Sequence, residues 1–187
     1  FRGRPDLLSQ VVVAGDVATM QRALRLTATD SAVSALMLAE IPDLPALSSV
    51  PAGYMAVVQA CAPAGEMAFG QISAGAGRAA ADCIRWAAQA ALSGQARAVV
   101  TAPIHKEALA AAGVDHPGHT ELLQSLAAAH AGVPVSDLPV RMMLSCPGHA
   151  TVLVSIHVSL QQALLAVTRD QVLQTIRITH AHFRRAG

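Results

Sequence analysis

The sequence predicts an α/β fold in which a mainly parallel sheet carries helices on both faces. Short apolar runs typical of buried strands occur at residues 10–14 and 98–101, and a long segment with helical periodicity, residues 73–92, lies between them. Within that segment polar side chains follow one stripe, while alanines and one isoleucine cover the opposite side. Strands that alternate with helices are typical of a parallel sheet.

The other elements of the first two thirds of the chain follow from the same signals. The run 98–101 is expected to be a central strand of the sheet. Apolar periodicity and turn residues predict helices at 19–26 and 120–131, a strand at 55–60, loops or edge segments at 41–53 and 62–70, and an ambiguous apolar segment at 32–38.

The last part of the sequence contains a predicted hairpin followed by two helices. Strand-like runs at 140–145 and 151–155 flank a segment with a Pro-Gly pair, which predicts a β-hairpin near residues 140–155. Two capping-box patterns then mark helix starts at Ser159 and Thr168, and the second helix is expected to continue almost to the end of the chain.

Composition and charge limit the classes of function. Of the 187 residues, 53% are hydrophobic but only 3% aromatic, so the core must consist of aliphatic side chains. The net charge of +1 without a basic stripe argues against a nucleic-acid partner, and no apolar run predicts a membrane span or signal peptide. The cysteines, Cys61, Cys83 and Cys146, are odd in number and lack a Cys-x-x-Cys pair, so we expect reduced thiols in a cytoplasmic protein.

Two short polar motifs contain the candidate ligand-binding residues. The predicted strand 98–101 leads into His105 and Lys106. After one short helical segment, a turn delivers His119 and Thr120 to the start of the next helix. Because α/β folds bind ligands beyond the carboxyl ends of their strands, both pairs are candidates for a site. Lysine and histidine together suit an anionic substrate and a proton or hydride reaction.

Each of these residues also has an ordinary structural interpretation. Thr120 could serve only as an N-cap, with His119 as a surface turn residue. Alternatively, the backbone N–H groups and the Thr120 hydroxyl bind an anionic oxygen, and the His119 imidazole donates to a hydroxyl or carboxylate. Lys106 is either a solvated lysine or a point charge that neutralises a phosphate or carboxylate. The residues alone leave these alternatives open.

His157 is the candidate metal ligand, since it follows the predicted strand 151–155 and precedes a capped helix. The alternative is a lone core or surface histidine. His116 and His119 flank a Pro-Gly turn, but they would need a third convergent ligand to bind a metal. The segment Gly75-Ala-Gly77-Arg-Ala-Ala80 matches a dinucleotide-binding pattern without the preceding apolar strand, so we interpret it as the start of a close-packed helix.

The two polar motifs together resemble those of a known family. Thr101-Ala-Pro-Ile-His-Lys106 and Gly118-His-Thr-Glu121 are similar, in residues and in spacing, to motifs of the 4-hydroxythreonine-4-phosphate dehydrogenase family of pyridoxal phosphate biosynthesis. The similarity extends upstream to Gly65-Glu-Met-Ala68 and downstream to Ser155-Ile-His-Val-Ser-Leu160, and it covers most of the chain. Around His157 the match is partial, because the threonine and the proline of the family pattern are replaced.

The resemblance implies an isocitrate/isopropylmalate dehydrogenase-like fold and a homodimer whose partner completes each active site. The predicted hairpin is the candidate interface element, since an exposed apolar hairpin needs a cover. The family pattern implies that His119 and Thr120 contact the substrate, that Lys106 belongs to the catalytic motif, and that His157 is a metal ligand. It also implies NAD as the hydride acceptor, bound outside this sequence, and a divalent metal (Zn, Mg, Mn or Co) that polarises the substrate oxygen.

The implied reaction is the NAD-dependent, metal-assisted oxidation and decarboxylation of 4-phosphohydroxy-L-threonine. One alternative is a dehydrogenase of the same family that acts on a sugar-acid phosphate or an aromatic cis-dihydrodiol carboxylate. Another is a non-catalytic ligand-binding or dimerisation module. The family's Gly/Pro-rich first motif and its later histidine motifs are not found in this sequence. Residues 1–187 are therefore interpreted as a partial α/β dehydrogenase that is expected to be inactive by itself.

Overall fold

The computed structural model describes residues 4–27, 36–156 and 158–186. It divides into two units, Phe1–Val133 and Pro134–Gly187. The first unit holds a three-stranded parallel sheet with helices, and the second holds an antiparallel hairpin with two helices. The α/β class predicted from the sequence is confirmed. No helix in the part of the chain that the structure describes is both long and apolar enough to cross a membrane.

The sheet of the first unit is built around one buried strand. β1 (Val12–Gly15) and β2 (Met37–Glu40) lie on either side of β3 (Tyr54–Gln59), and both pairs are parallel. The four inner residues of β3 are buried, which makes it the central strand. The strands predicted at 10–14 and 55–60 are confirmed with small shifts at their ends. The ambiguous segment 32–38 overlaps β2 at its end, and residues 32–35 lie outside the described residues.

Helices cover both faces of the sheet, as predicted. Because successive strand residues point to opposite faces, Met55 and Val57 of β3 pack with Val17 on one face, whereas Ala56 packs in a cluster with Trp86 on the other. Val17 begins the first helix, and Trp86 lies in the second. The helices of this unit are α1 (Val17–Leu26), α2 (Ala74–Leu92), α3 (Lys106–Ala111) and α4 (His119–Ala131).

The prediction of a central strand at residues 98–101 is wrong. Residues 93–105 form an irregular connection between α2 and α3, and Val100 is 96% exposed. Strand propensity yields a strand only where a neighbour completes the hydrogen-bond ladder, and no described strand pairs with this run. Consequently, His105 and Lys106 do not follow the carboxyl end of a strand, and the central position belongs to β3 instead.

The two helices α2 and α3 meet at Gly77, where their backbones come into contact. A Cβ atom added to Gly77 would lie 1.9 Å from the carbonyl oxygen of Ala108 and 2.9 Å from the backbone nitrogen of Leu109. Only glycine fits there, and the segment that precedes α2 is not a strand. The interpretation of this glycine-containing pattern as the start of a close-packed helix is therefore confirmed. α4 also packs against α2.

The second unit contains the predicted hairpin. β4 (Met143–Cys146) pairs antiparallel with β5 (His149–Val152), and Cys146 lies opposite His149. The connection is a two-residue turn, shorter than predicted, in which Gly148 has a φ of 79° that favours glycine. Two helices follow, as predicted: α5 (Leu160–Ala166) and α6 (Arg169–Ala186).

Side-chain hydrogen bonds fix the ends of the helices in this unit. Ser159 and Gln162 form the predicted reciprocal capping box of α5. Before α6, the backbone N–H of Gln171 donates to the hydroxyl of Thr168 at 3.3 Å. Arg141, which lies two residues before β4, donates to the hydroxyl of the buried Thr175 in α6 at 2.8 Å. The guanidinium of Arg141 therefore ties the start of the hairpin to the last helix.

Replacing Gly77 by alanine is expected to lower the free energy of unfolding. The new methyl group would overlap the Ala108 carbonyl, and overpacking of this kind costs about 1–3 kcal/mol. That cost exceeds the gain of up to ~1 kcal/mol that alanine brings to a helix interior. Gly75→Ala is the matched control in the same helix, because its Cβ would meet only the Ser73 hydroxyl at 3.5 Å. Urea unfolding compares the two variants, and a Gly77→Ala chain as stable as Gly75→Ala would contradict the backbone contact.

Candidate functional site

The first polar motif lies at the start of α3. Lys106 is the first residue of this helix, and His105 is its N-cap residue without a capping side-chain hydrogen bond. Both residues are exposed, and the Lys106 ammonium group forms no ion pair with any of the described residues. Lys106 is also the only lysine of the sequence. Its charge is therefore free to meet an anionic ligand, although an exposed lysine needs no ligand to be stable.

The second motif lies at the start of α4. The N-cap residue is Gly118, and His119 and Thr120 are the first two residues of the helix. The alternative in which Thr120 is the N-cap is wrong, because the helix begins one residue earlier than predicted. Glycine offers no side chain to accept hydrogen bonds from the first turn, so the positive end of the helix dipole has no side-chain cap. The carboxylate of Glu121 is the acidic group in this turn.

The imidazole of His119 has an unsatisfied nitrogen. Its Nε2 atom is buried and has no hydrogen-bond partner among the residues that the structure describes. Leaving a buried polar atom unpaired costs about 1–3 kcal/mol, and such atoms are rare in native proteins unless a ligand or water completes them. An unpaired histidine nitrogen beside an uncapped helix start is the arrangement expected of an incomplete binding site. It disfavours the interpretation of His119 as a surface turn residue.

The helix α2 is the common support of both motifs. α3, which begins at Lys106, and α4, which begins at His119, each pack against α2. His116 lies in the connection between α3 and α4, and its Nε2 atom is 3.2 Å from the hydroxyl of Ser125 in α4. The structure thus explains His116 as a hydrogen-bonded turn residue, whereas His119 Nε2 is the side-chain atom that is buried without a hydrogen-bond partner among the described residues.

The candidate metal ligand His157 lies outside the described residues. In the described ranges 4–27, 36–156 and 158–186, no group of three or more histidine, cysteine, aspartate or glutamate side chains could hold a metal ion. The described residues therefore do not form a metal site. Within these ranges, His116 and His119 likewise have no third convergent ligand.

Sequence reasoning missed a polar cluster at the carboxyl edge of the sheet. Asp16 follows β1, Gln59 ends β3, and the Gln59 Nε2 atom donates to Asp16 Oδ1 at 2.9 Å and to the carbonyl oxygen of Cys61 at 2.8 Å. Asp16, only 8% exposed, also accepts from the hydroxyl of Thr19 at 2.6 Å. Hydrogen bonds from Thr19 and Gln59 lower the pKa of Asp16 against the opposing effect of burial. The signal in the sequence that could have indicated this cluster is an aspartate directly after the predicted first strand, three residues before a threonine.

A groove of about 620 Å³ lies at the other end of the strands. Its lining includes Leu8, Pro51 and Tyr54, the first residue of β3, and it contains no residue of either polar motif. Asp6 is its only acidic or basic residue. The groove therefore lacks the chemistry expected for a phosphorylated substrate, and the candidate site remains at the starts of α3 and α4.

Comparison with known protein sequences identifies relatives of this chain. The sequence profile of the family described as "Pyridoxal phosphate biosynthetic protein PdxA" matches residues 7–187. Proteins named 4-hydroxythreonine-4-phosphate dehydrogenase from Beijerinckia indica subsp. indica and Bradyrhizobium diazoefficiens are 44% identical over 109 residues and 50% identical over 95 residues. These alignments cover 58% and 51% of the present chain, but only 30% and 26% of the two relatives.

Solved structures agree with this assignment. Crystal structures named 4-hydroxythreonine-4-phosphate dehydrogenase from Klebsiella pneumoniae and Burkholderia phymatum superpose with TM-scores of 0.77 and 0.74, at 28% and 29% sequence identity. They match 98% and 100% of this chain, which spans about half of their length, 55% in each case. The family match over residues 7–187, with the agreement in fold, confirms the resemblance carried by the two polar motifs: the chain belongs to the PdxA family of pyridoxal phosphate biosynthetic proteins.

Proposed function

We propose that this chain forms part of an NAD-dependent, divalent-metal-assisted dehydrogenase that oxidises and decarboxylates 4-phosphohydroxy-L-threonine in pyridoxal phosphate biosynthesis. Membership of the PdxA family and the names of the relatives support the proposal. The structural observation that carries it is the buried Nε2 atom of His119, which has no hydrogen-bond partner among the described residues and lies at the start of α4, where no side chain caps the helix. A polar, anionic substrate would supply the missing hydrogen-bond partner.

Three residues would contact the substrate in this proposal. The His119 Nε2 atom bonds a hydroxyl or carboxylate of the substrate, which removes the cost of leaving that nitrogen unpaired. The Thr120 hydroxyl and the positive end of α4 receive an anionic oxygen. The ammonium group of Lys106, proposed as a residue of the catalytic motif, neutralises a phosphate or carboxylate as a point charge. Together they bind and orient the substrate rather than transfer the hydride.

The proposal includes two cofactors, and the described residues do not provide a complete binding site for either of them. When bound, NAD accepts the hydride from the substrate's secondary alcohol, and a divalent metal such as Zn, Mg, Mn or Co polarises the oxygen at the reacting carbon. His157 is proposed as one metal ligand. Because the described residues contain no cluster of three ligands, further ligands must come from outside them. The residues that bind NAD are not assigned, and a cytoplasmic location is proposed on the same family grounds.

One alternative keeps the family and changes the substrate. Ile156 and Ser159 stand where the family pattern has a threonine and a proline, and this difference supports a sugar-acid phosphate or an aromatic cis-dihydrodiol carboxylate as the substrate. An aromatic dihydrodiol carboxylate carries no phosphate, so competition by inorganic phosphate separates it from the phosphorylated substrates. The non-catalytic alternative predicts that the phosphorylated substrate binds without turnover even in a protein that also carries the family's further histidine motifs and is supplied with NAD and a divalent metal.

Replacing His119 by phenylalanine is expected to weaken binding of 4-phosphohydroxy-L-threonine about tenfold or more, since a hydrogen bond to a charged group is worth about 1.5–3 kcal/mol. Phenylalanine retains a ring of similar size without the nitrogens. His130→Phe is the matched control, because His130 is exposed in the last turn of the same helix. Isothermal titration calorimetry measures both affinities after circular dichroism has verified folding. Equal affinities of the two variants would refute the role of His119.

The uniqueness of Lys106 allows a direct test of its position in the site. An amine-acetylating reagent can modify only Lys106 and the terminal amine. We expect saturating 4-phosphohydroxy-L-threonine to slow acetylation of Lys106 about tenfold, because an amine held against a bound anion is shielded from the reagent. The terminal amine provides the internal control within the same mass spectrum. Lys106 would be excluded from the site if both amines reacted at the same rates with and without bound substrate.

We also propose a homodimer, in which the second unit supplies apolar surface. Large apolar side chains that a partner could cover are exposed in this unit, namely Leu144, Leu160, Leu164, Leu165, Ile176 and Phe183. Exposed apolar groups of this kind are typical of interaction surfaces.

Replacing Leu144 in β4 by glutamate is expected to convert a dimer into a monomer of 19.2 kDa, because a buried unpaired carboxylate opposes association. Leu26→Glu at the end of α1 is the matched control, since Leu26 and Leu144 are 61% and 60% exposed. Light scattering coupled to gel filtration gives both masses. A monomeric parent chain would contradict dimerisation by this chain alone, and a dimeric Leu144→Glu variant would contradict the role of the hairpin.

A further inference from the structure

One arginine fastens an irregular segment to the first helix. Residues 60–73, which connect β3 to α2, contain no helix or strand. Within this connection, the strap (residues 65–70) contacts the side chain of Arg22 in α1. Nη1 of Arg22 donates to the carbonyl oxygen of Met67 at 2.7 Å, and the guanidinium carbon lies 4.4 Å from the centre of the Phe69 ring. A charged hydrogen bond and a cation–π contact therefore come from one side chain.

The strap has few other attachments. Among the described residues, the bond from Arg22 is the only hydrogen bond made by the strap backbone. Glu66 contributes little, since its carboxylate is 85% exposed and lies 3.9 Å from Nη2 of Arg22. Gly65 and Gly70 stand at the two ends with φ values of 70° and 72°, and a Cβ atom at either would meet no heavy atom within 4 Å. The strap therefore has a glycine hinge at each end, with open space around both.

The strap joins α2 at the end that contacts α3. Ser73, three residues after the strap, is the N-cap of α2, and its hydroxyl accepts from the backbone N–H of Ala76 at 3.3 Å. One turn further along, Gly77 touches the Ala108 backbone, and Lys106 lies two residues before Ala108. The connection also leaves β3 at the carboxyl end of the sheet, where α/β folds bind ligands. Movement of the strap would therefore occur near the start of α3, where the candidate site lies.

We propose that the strap is a lid for the anion site at Lys106 and that Arg22 is the latch that keeps it open; this role rests on the proposed binding of an anion there. Phe69 and Ile72 are 71% and 54% exposed in the latched position, so closure over a ligand has apolar surface to bury. Closure requires the guanidinium to release the Met67 carbonyl and the Phe69 ring. Because these contacts stabilise only the open position, the apparent affinity for the ligand falls with the fraction of molecules that are closed.

Proteolysis of the ligand-free chain tests the latch. Chymotrypsin cleaves after Phe69 only when the ring has left Arg22 and entered the protease. Arg22→Met keeps the aliphatic stem but removes the donors and the charge, so we expect the fragment that ends at Phe69 to form about fivefold faster. Arg25→Met is the matched control, because Arg25 is exposed in the same helix and its loss removes the same charge. Arg22→Lys, which retains the charge without the guanidinium fork, should give an intermediate rate. Equal rates in all chains would overturn the latch.

Titration with 4-phosphohydroxy-L-threonine, followed by calorimetry, tests the lid after circular dichroism has verified folding. We expect Arg22→Met to bind about threefold to tenfold more tightly than Arg25→Met, because release of the latch favours the closed position. Bound ligand should also slow cleavage after Phe69 in the parent chain. A merely structural Arg22 would leave the affinity unchanged or weaken it on substitution, and either result would overturn the lid without touching the proposed function. Absence of binding in every chain, the parent included, would instead overturn the proposed function together with the lid.

Discussion

The arrangement of the first unit depends on the absence of a side chain at Gly77. At Gly77 the backbones of α2 and α3 touch, and no residue with a Cβ atom fits between them. The same helix contacts the sheet through Trp86 and supports α4. The starts of α3 and α4, which hold Lys106 and His119, are therefore both positioned by one alanine-rich helix.

Local signals in the sequence predicted most of the elements because their causes are local. The helix α2, the hairpin and the capping box at Ser159 follow from periodicity, turn residues and contacts between residues close in sequence. Residues 98–101 have strand propensity, yet a strand depends on a partner that local sequence does not specify. The bond between Asp16 and Gln59 joins residues 43 positions apart, so only the pairing of β1 with β3 brings them together.

The candidate site shows the same division between local and distant causes. Its residues were found by resemblance, whereas the residues alone left His119 open as a turn residue and Lys106 open as a solvated lysine. The His119 Nε2 atom is buried without a partner among the described residues, which is a property of the fold around it and supports the proposed binding role. Lys106 gains no such support, since an exposed ammonium group is equally stable with or without a ligand.

The candidate site depends on α2 as the common structural support of α3 and α4. Both α3 and α4 pack against this helix, so a displacement of α2 would move the two elements that hold Lys106 and His119. The close backbone contact at Gly77 transmits displacement along α2 directly to α3, because packed backbones, unlike flexible side chains, have little freedom to absorb it.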